Sequence, residues 1–254
     1  MVALDIDGTL VDHEGALPEK VRRSVRRVVD AGVPVVLSTG RSWHDTHPVF
    51  EQLELPTGPA VASNGAVTVS FPPLRLDRVR TFHPGDVIEK VLREHPTAAL
   101  AAEVVGHGYR VTRHFPAGEL TGAIEQVSVD DLASAEVTRI VVRDPAASDH
   151  EFVALAERIG LHGVSYFVGW SAWIDIAPYG VNKASALAEV AAGLGVPAAD
   201  VLAIGDGRND LEMLAWAGRG VALADAAAEV RAAADHVTGH FAAGGTADEL
   251  RLWF

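Results

Sequence analysis

The feature that most constrains the fold of this chain is a series of short apolar runs that each lead into a polar turn. Runs of strand length occupy residues 1–7, 33–37, 60–62 and 201–204, and glycine lies in or directly after each polar turn. A helix is predicted between the first two runs, from Pro18 near its start to Ala31 before a glycine. Strands and helices in this order indicate an α/β fold with an open parallel sheet. Such sheets bind ligands beyond the carboxyl ends of their strands.

The middle of the chain has a different pattern. Between about residues 82 and 178, segments of alternating polarity are interspersed with helical stretches. The predicted strands are Tyr109 to Phe115, Val137 to Arg143 and Val164 to Ile176, and the predicted helices are Asp86 to His95 and Glu151 to Ile159. We therefore expect an α+β domain at residues 82–178, inserted into a core formed by residues 1–81 and 179–254.

Composition narrows the class of protein. The 254 residues carry 34 acidic side chains against 21 Lys and Arg, a net charge of −13, which argues against a nucleic-acid surface. Cysteine is absent, which excludes disulfides, thiolate metal sites and cysteine nucleophiles. The N-terminus lacks the features of a signal peptide, and no apolar run approaches the roughly 18 residues of a membrane span. We expect a soluble cytoplasmic protein; its oligomeric state has no signal in the sequence.

Acidic residues, with one asparagine among them, follow the first and the last of the predicted parallel strands. Asp5 and Asp7 end the first, and Asp206, Asn209 and Asp210 follow the last. A parallel sheet brings them to one edge, where close carboxylates repel one another by about 1 kcal/mol or more per pair without a cation. Oxygen ligands without cysteine point to Mg²⁺.

The Asp-x-Asp-Gly-Thr segment suggests a reaction. Gly8 lets the chain turn, so that Asp5 and Asp7 converge on one ligand, and the backbone N–H groups of Gly8 and Thr9 are expected to face an anion. A metal, an anion cradle and a free carboxylate together describe phosphoryl transfer through an aspartyl-phosphate.

Four segments, in this order, resemble the four motifs of the haloacid dehalogenase-like (HAD) superfamily. They are Asp5 to Leu10, Ser38 to Arg41, Lys183, and Gly205 to Asp210. More narrowly, the chain resembles the Cof-type, subfamily IIB sugar phosphatases, through Ser63 to Ala66, Ile176 to Lys183 and the tail from Gly220 to Gly245. The resemblance covers both α/β segments, whereas the insert matches only in position and length.

This resemblance implies a Rossmann-like core with a C2-type cap that shields the site, and a Mg²⁺-dependent phosphatase acting on a small-molecule phosphate ester. It implies that Asp5 is the nucleophile and a metal ligand, and that Asp7 is the general acid and base, with its backbone carbonyl on the metal. Asp206 would bind the metal directly, and Asn209 and Asp210 directly or through water. The residues expected to bind the substrate are Gly8, Thr39, Gly40, Arg41, Asn64 and Lys183. Of these, Thr39 and Lys183 would hold the phosphoryl oxygens.

Some alternatives stay open at this point. A sugar phosphate is the substrate that the resemblance favours, next to nucleotide or cofactor phosphates. A phosphomutase would use the same aspartyl-phosphate. A receiver-like signalling domain is disfavoured by the Asp-x-Asp spacing and by an insert of about 95 residues. The spacing of His44 and His47 could suggest a zinc site, but no third ligand is evident nearby.

Two further features bear on substrate selection. The insert's aromatic residues are core residues by default, although one or two could face the substrate. These residues are Tyr166, Phe167, Trp170 and Trp173. Asp225 stands where the related branch usually has Asn, and its added charge near the sheet edge could disfavour very anionic substrates.

Overall fold

A computed structural model of the chain describes residues 1–148, 164–168 and 173–254. The chain divides into two compact units. The first comprises residues 1–41, 45–78 and 182–254, and the second comprises residues 42–44 and 79–181. The expected helix from Glu151 to Ile159 and Trp170 lie outside the described residues. Within the described ranges, no helix combines the length and the apolar character that a membrane crossing requires.

The first unit is built on a parallel sheet with the strand order β14-β13-β12-β1-β2. These strands are β1 (Val2–Leu4), β2 (Val35–Leu37), β12 (Leu202–Gly205), β13 (Arg219–Ala222) and β14 (His236–Val237). A parallel bridge between Ser38 and Val61 links this sheet to a second, three-stranded one. That sheet has the order β3 (Gly58–Ala62), β4 (Val67–Phe71) and β5 (Arg75–Val79). The predicted parallel α/β core is confirmed.

The strand register decides where the polar turns meet. Leu4 of β1 lies opposite Leu37 of β2 and Ile204 of β12, all running in the same direction. The residues that follow these three positions therefore leave the sheet at one edge, as parallel pairing requires. This carboxyl edge carries the candidate site.

Helices flank the sheet of the first unit. They are α1 (Glu19–Asp30), α2 (Trp43–Gln52), α5 (Lys183–Gly193), α6 (Leu211–Trp216), α7 (Ala228–Ala233) and α8 (Gly245–Leu250), with short 3₁₀ turns at Ser63–Gly65, Ala198–Asp200, Arg208–Asp210 and Phe241–Ala243. Apolar side chains of α5 and α6, among them Leu187, Val190 and Leu214, pack with Ala3 and Ala203 in one buried cluster. That cluster fixes α5, and with it the lysine at its start, against the sheet.

Helix α1 illustrates how the sequence pattern becomes structure. Val21, Val25 and Val28 are buried, and Pro18 precedes the helix as predicted. The chain leaves the helix at Gly32, whose φ of +73° suits glycine. On the other side of α1, arginines pair with the helix's own acids: Arg22 and Arg23 with Glu19, and Arg26 with Asp30. The basic run is the solvated face of an amphipathic helix.

The second unit contains a six-stranded sheet with the order β10-β11-β9-β6-β7-β8. Its strands are β6 (Ala99–Val104), β7 (Gly108–Val111), β8 (Ala123–Gln126), β9 (Ile140–Arg143), β10 (Val164–Val168) and β11 (Trp173–Pro178), and its helices are α3 (Gly85–Glu94) and α4 (Val129–Ser134). All pairings are antiparallel except that of β7 with β8. This is the mixed α+β architecture predicted for the insert.

The two faces of this sheet follow the period of two expected for strands. Leu100, Ile140 and Ile174 point to one face, where they pack with Ile88 of α3 and Leu132 of α4. The neighbouring positions, which include Ala99, Val141 and Trp173, form a separate cluster on the other face with Tyr109 and Phe115.

The run from Val164 to Ile176, predicted as one alternating segment, is two strands. Tyr166 of β10 lies opposite Ile176 of β11 in an antiparallel pair. Alternation persists through both strands, so the periodicity alone does not reveal that the chain reverses between them. The predicted strand from Tyr109 to Phe115 is also shorter, because β7 ends at Val111.

Candidate active site

A buried lysine and three buried aspartates meet at the carboxyl edge of the parallel sheet. Asp5 directly follows β1, and Asp206 directly follows β12; each is 5% exposed. Asp210 and Lys183 are fully buried. Each of the three aspartates offers a carboxylate oxygen, and these oxygens all lie within 4.8 Å of one another. We call Asp5, Asp206 and Asp210 the acidic cluster.

Lys183 is the first residue of α5, and it links two members of the acidic cluster. Its Nζ lies 2.6 Å from Oδ1 of Asp5 and 2.6 Å from Oδ1 of Asp210. The helix start is held by a capping box in which Asn182 and Ser185 bond each other's backbone N–H groups. A cation at a helix N-terminus faces the positive end of the dipole. The two carboxylates offset this unfavourable position.

The electrostatics of the cluster follow from burial and like charges. Burial raises the pKa of Asp5 well above its usual range, and the charge of Asp210 raises it further. Burial, with Asp210 second, raises the pKa of Asp206 to about 7. Burial alone would lower the pKa of Lys183, but the charges of Asp210 and Asp5 outweigh it and raise that pKa. One lysine therefore does not neutralise three carboxylates.

This excess of negative charge fits a hard divalent cation. The acidic cluster offers only oxygen ligands, which Mg²⁺ prefers. Three carboxylates buried beside a single lysine are expected at a site that gains its remaining positive charge by binding a cation. Within residues 1–148, 164–168 and 173–254, this is the only group of three or more His, Asp and Glu side chains that brings ligand atoms so close together.

Asp210 also stabilises the loop after β12. Its Oδ2 accepts the backbone N–H groups of Asp206 at 3.0 Å and Gly207 at 2.9 Å, while Oδ1 faces Lys183. Both oxygens are thus engaged within the protein. The ligation of a metal by Asp210, direct or through water, stays a prediction.

Thr9 supplies a contact that the sequence reasoning missed. Its hydroxyl donates to Oδ1 of Asp206 at 2.9 Å, and its own carbonyl accepts from the Thr246 hydroxyl at 2.7 Å. Thr9 therefore orients the Asp206 carboxylate from the turn after the neighbouring strand, β1. The position of Thr9 directly after Asp-x-Asp-Gly is the sequence signal for this contact.

The backbone N–H groups of Gly8 and Thr9 do not form the expected anion cradle. The N–H of Gly8 donates to the carbonyl of Val11 at 2.9 Å, and that of Thr9 to the carbonyl of Ile6 at 3.3 Å. The turn after β1 closes on itself, because the same residues that reverse the chain must also satisfy their own backbone groups. The N–H group of Gly8 is therefore engaged within the turn, and it gives no support to the prediction that Gly8 binds substrate.

Asp7 does not join the acidic cluster. Its side chain is 54% exposed, and it forms a two-point ion pair with Arg41, with Nε to Oδ2 at 2.9 Å and Nη2 to Oδ1 at 2.5 Å. The carboxylates of Asp5 and Asp7 therefore do not converge on one ligand, although the sequence predicted that they would. The backbone carbonyl of Asp7 as a metal ligand stays a prediction.

Thr39, Gly40 and two asparagines form a second polar group at the same edge. Thr39 is fully buried, and its backbone carbonyl accepts from the N–H of Asn64 at 3.0 Å. Asn209 Nδ2 donates to Oδ1 of Asn64 at 2.9 Å. A Cβ on Gly40 would lie 3.2 Å from the Asn64 amide and 3.3 Å from that of Asn209, so glycine leaves room for this amide pair.

Asn64 holds an unusual backbone conformation. Its φ of +51° is left-handed, as is that of Ser63 before it, and both are buried. Asparagine tolerates this region better than most residues. Such strained positions persist where the surroundings fix them, often at functional sites.

Two other expectations concern residues near this edge. Nε2 of His47 faces Oε1 of Glu51 at 3.2 Å and its ring contacts Phe71 edge-on, so this histidine serves the packing of α2. Asp225 pairs with His240 Nδ1 at 2.7 Å and accepts the N–H of Phe241, so its additional charge has a local partner.

Gly8 offers a test of how closely the first turn packs on the acidic cluster. Its φ is +77°, and a Cβ there would lie 2.3 Å from Oδ2 of Asp206. We expect Gly8→Ala to displace the Asp206 carboxylate and to lower kcat/KM at least about tenfold, a loss of ~1.4 kcal/mol. Gly15→Ala is the matched control, because Gly15 has a φ of +81° but nothing within 4 Å. Equal losses of activity in the two variants would show that backbone strain, not the clash, is responsible.

Comparisons with known proteins agree with this geometry. The sequence pattern of haloacid dehalogenase-like hydrolases matches residues 2–87 and 119–250. The 5-amino-6-(5-phospho-D-ribitylamino)uracil phosphatase YitU of Bacillus subtilis is 30% identical, over 100% of this chain and 97% of that protein. A phosphoglycolate phosphatase of Aeropyrum pernix is 31% identical, over 99% of this chain and 92% of its own length.

The fold agrees as well. A solved HAD subclass IIB sugar phosphatase superimposes with a TM-score of 0.83 at 20% identity, covering 99% of this chain and 98% of that one. The chain therefore belongs to the haloacid dehalogenase-like hydrolase family, as the four motifs predicted. It is an enzyme of the phosphatase class, a phosphoric monoester hydrolase.

Proposed function

We propose that this enzyme hydrolyses a small phosphorylated metabolite through an aspartyl-phosphate on Asp5, with Mg²⁺ as its cofactor. The observation that carries the proposal is the position of Asp5. Its buried carboxylate lies 2.6 Å from Nζ of the buried Lys183, in an acidic cluster that has three carboxylates and one lysine. The chemistry belongs to residues 1–81 and 179–254, and residues 82–178 are the cap. The positions of the four motifs, all within the first of these two parts, support this division.

In the first step, an oxygen of Asp5 attacks the phosphorus of the ester. A new bond forms between that oxygen and phosphorus, the bond from phosphorus to the ester oxygen breaks, and Asp7 gives its proton to the departing alcohol. Lys183 and Thr39 hold the phosphoryl oxygens. A hydroxyl that accepts a hydrogen bond, as Thr39 Oγ1 does from the Arg41 N–H at 3.1 Å, can still donate one.

In the second step, water attacks the same phosphorus. Asp7 takes the proton of the water, the bond between phosphorus and Asp5 breaks, and inorganic phosphate leaves with Asp5 restored. The residues that would hold Mg²⁺ are Asp5, Asp7 through its carbonyl, Asp206, Asn209 and Asp210. When bound, the ion supplies positive charge to the acidic cluster and to the phosphoryl oxygens.

The substrate is proposed to be a phosphate ester of a sugar or a sugar-like alcohol. The named substrate of the Bacillus subtilis relative carries its phosphate on a ribityl chain, whereas the archaeal relative is named for phosphoglycolate. A panel of sugar, nucleotide and carboxylic-acid phosphates, assayed for phosphate release, tests the proposal. The same reactions, searched for isomerised sugar phosphate, distinguish hydrolysis from a mutase reaction.

The metal gives the most direct test of the mechanism. We expect activity to disappear with chelator, to return with Mg²⁺ and to fail with Ca²⁺. Mg²⁺ demands octahedral geometry at about 2.0–2.1 Å, whereas Ca²⁺ accepts 6–8 ligands at about 2.3–2.6 Å and can engage both oxygens of Asp5. Full activity in excess chelator would contradict the role of the metal.

Calorimetric titration with Mg²⁺ adds a readout that is independent of turnover. Because Asp206 has a pKa of about 7 in the metal-free protein, it is largely protonated below that pH and ionised above it. A metal requires the ionised carboxylate, so the apparent affinity should fall as the pH drops from about 8 to about 6. Asp206→Asn should reduce this pH dependence, leaving the part that comes from Asp5, whose pKa is also raised. An affinity that is constant over this range would argue against Asp206 as a ligand.

A further inference from the structure

Among the residues that the structure describes, Arg41 is the side chain that orients the carboxylate of Asp7. Arg41 donates to both of its oxygens, although more than half of the Asp7 side chain is exposed. An exposed aspartate without such a partner samples several staggered rotamers. A two-point pair between guanidinium and carboxylate restricts direction as well as distance. Arg41 therefore selects the orientation of Asp7.

Arg41 is itself fixed by two strand ends. Its N–H donates to the Thr39 hydroxyl at 3.1 Å, and its carbonyl accepts the N–H of Ser63 at 2.7 Å. Its side chain is only 25% exposed, and Nη1 lies 3.5 Å from the carbonyl of Asp45. The guanidinium is thus a rigid support that the polypeptide builds from the ends of β2 and β3.

We propose that Arg41 is a positioning residue that acts on catalysis through Asp7. It fixes the carboxylate in the orientation from which Asp7 gives a proton to the leaving oxygen and takes one from water. The inference rests on the proposed function and deepens it, because it assigns to Arg41 a role other than substrate binding.

The contacts favour this role over direct binding of substrate. Three of the five N–H donors of a guanidinium are accounted for by Asp7 and the Asp45 carbonyl. The positive charge of Arg41 is also paired with Asp7, so an arriving phosphate would have to compete with a carboxylate already in place. In Lys183 the protein has a cation that lies directly against the nucleophile.

A double-mutant cycle tests the proposal. We expect Arg41→Ala to lower kcat for an alkyl phosphate by about 10–100-fold, part of what general acid–base catalysis supplies. The loss should be several-fold smaller in the single-turnover phosphorylation of Asp5 by nitrophenyl phosphate, whose leaving group needs little protonation. KM should change little. On an Asp7→Asn background, Arg41→Ala should cost less than about threefold, because the group through which it acts is already removed.

Arg41→Lys and Arg78→Ala provide the controls. Lysine keeps the charge but not the two-point geometry, so it should recover only part of the loss. Arg78 belongs to an exposed ion pair with Glu189, and its removal should leave the kinetics unchanged. A rise in KM for all substrates, or an undiminished loss on the Asp7→Asn background, would overturn the proposal and return Arg41 to substrate binding. Neither outcome affects the proposed function, which is tested separately by Asp5→Asn, by chelation of the metal and by analysis of the products.

Discussion

Asp5→Asn is expected to lose at least about a thousandfold in kcat, or ~4 kcal/mol of transition-state stabilisation, while keeping its fold. An amide is neither a nucleophile nor an anionic metal ligand. The substitution also removes one carboxylate from a buried cluster with excess negative charge, so the metal-free protein should not be destabilised through charge repulsion. Phosphate release and thermal unfolding, measured side by side, separate the two effects.

Asp12→Asn is a suitable control for this variant. Asp12 lies in the same first loop, where its Oδ1 accepts the N–H groups of Glu14 and Ala16 outside the acidic cluster. Mass spectrometry of acid-quenched enzyme should locate one phosphoryl group on the peptide that contains Asp5, and Asp7→Asn should accumulate it. More than about a tenth of wild-type activity in Asp5→Asn, a difference of only ~1.4 kcal/mol, would rule out the covalent mechanism.

Lys183→Met is expected to depress activity with every substrate by a similar factor, on the order of 10²–10³-fold, the range seen when one oxyanion donor is removed. All substrates share the phosphoryl group that Lys183 is proposed to hold. The variant should also lose about 3–5 kcal/mol of stability without metal, because Asp5 and Asp210 stay buried and lose the cation that pairs with both. Urea unfolding with and without Mg²⁺ measures this loss, and Mg²⁺ should restore part of it.

A double variant separates the two roles of this lysine. In Lys183→Met with Asp210→Asn, the amide oxygen still accepts the loop N–H groups, and one unpaired charge is gone, so stability should recover while activity does not. Lys20→Met removes an exposed lysine that pairs with Asp248 and should change neither quantity. A loss confined to some substrates would place Lys183 on the leaving group instead.

The sequence predicted the parts of the fold in which local pattern and tertiary environment agree. Helix α1 is an example, since three valines at helical spacing became its buried face between Pro18 and Gly32. Strand β6 shows the opposite case. Its ALAAEV sequence favours a helix by intrinsic propensity, and five of its six residues are buried, so alternation is lost. Only the neighbouring strands, β7 and β9, determine that it is extended.

Within the site, too, the sequence predicts what local pattern specifies and misses what depends on tertiary contacts. The strand pattern predicted that Asp5, Asp206 and Asp210 would meet, because parallel strands bring their carboxyl ends to one edge. Lys183 was placed with them by the resemblance to the HAD motifs. The direction of a side chain at that edge is a tertiary property. Asp7 turns to Arg41, 34 residues away in sequence, and this choice of rotamer has no local signal. Hydrogen bonding of the Gly8 N–H within its own turn likewise depends on the closed geometry of the loop.

The central position of β1 has a consequence for synthesis of the protein. β1 pairs on one side with β2, about 30 residues later, and on the other with β12, about 200 residues later. While the ribosome makes the intervening segment, one edge of this fully buried strand has no permanent neighbour, and an unpaired apolar edge invites association with other chains. Asp5 and Lys183, which lie in contact in the candidate active site, are likewise made 178 residues apart. The nascent chain therefore completes both its central strand and its candidate active site late, when residues 182–254 are made.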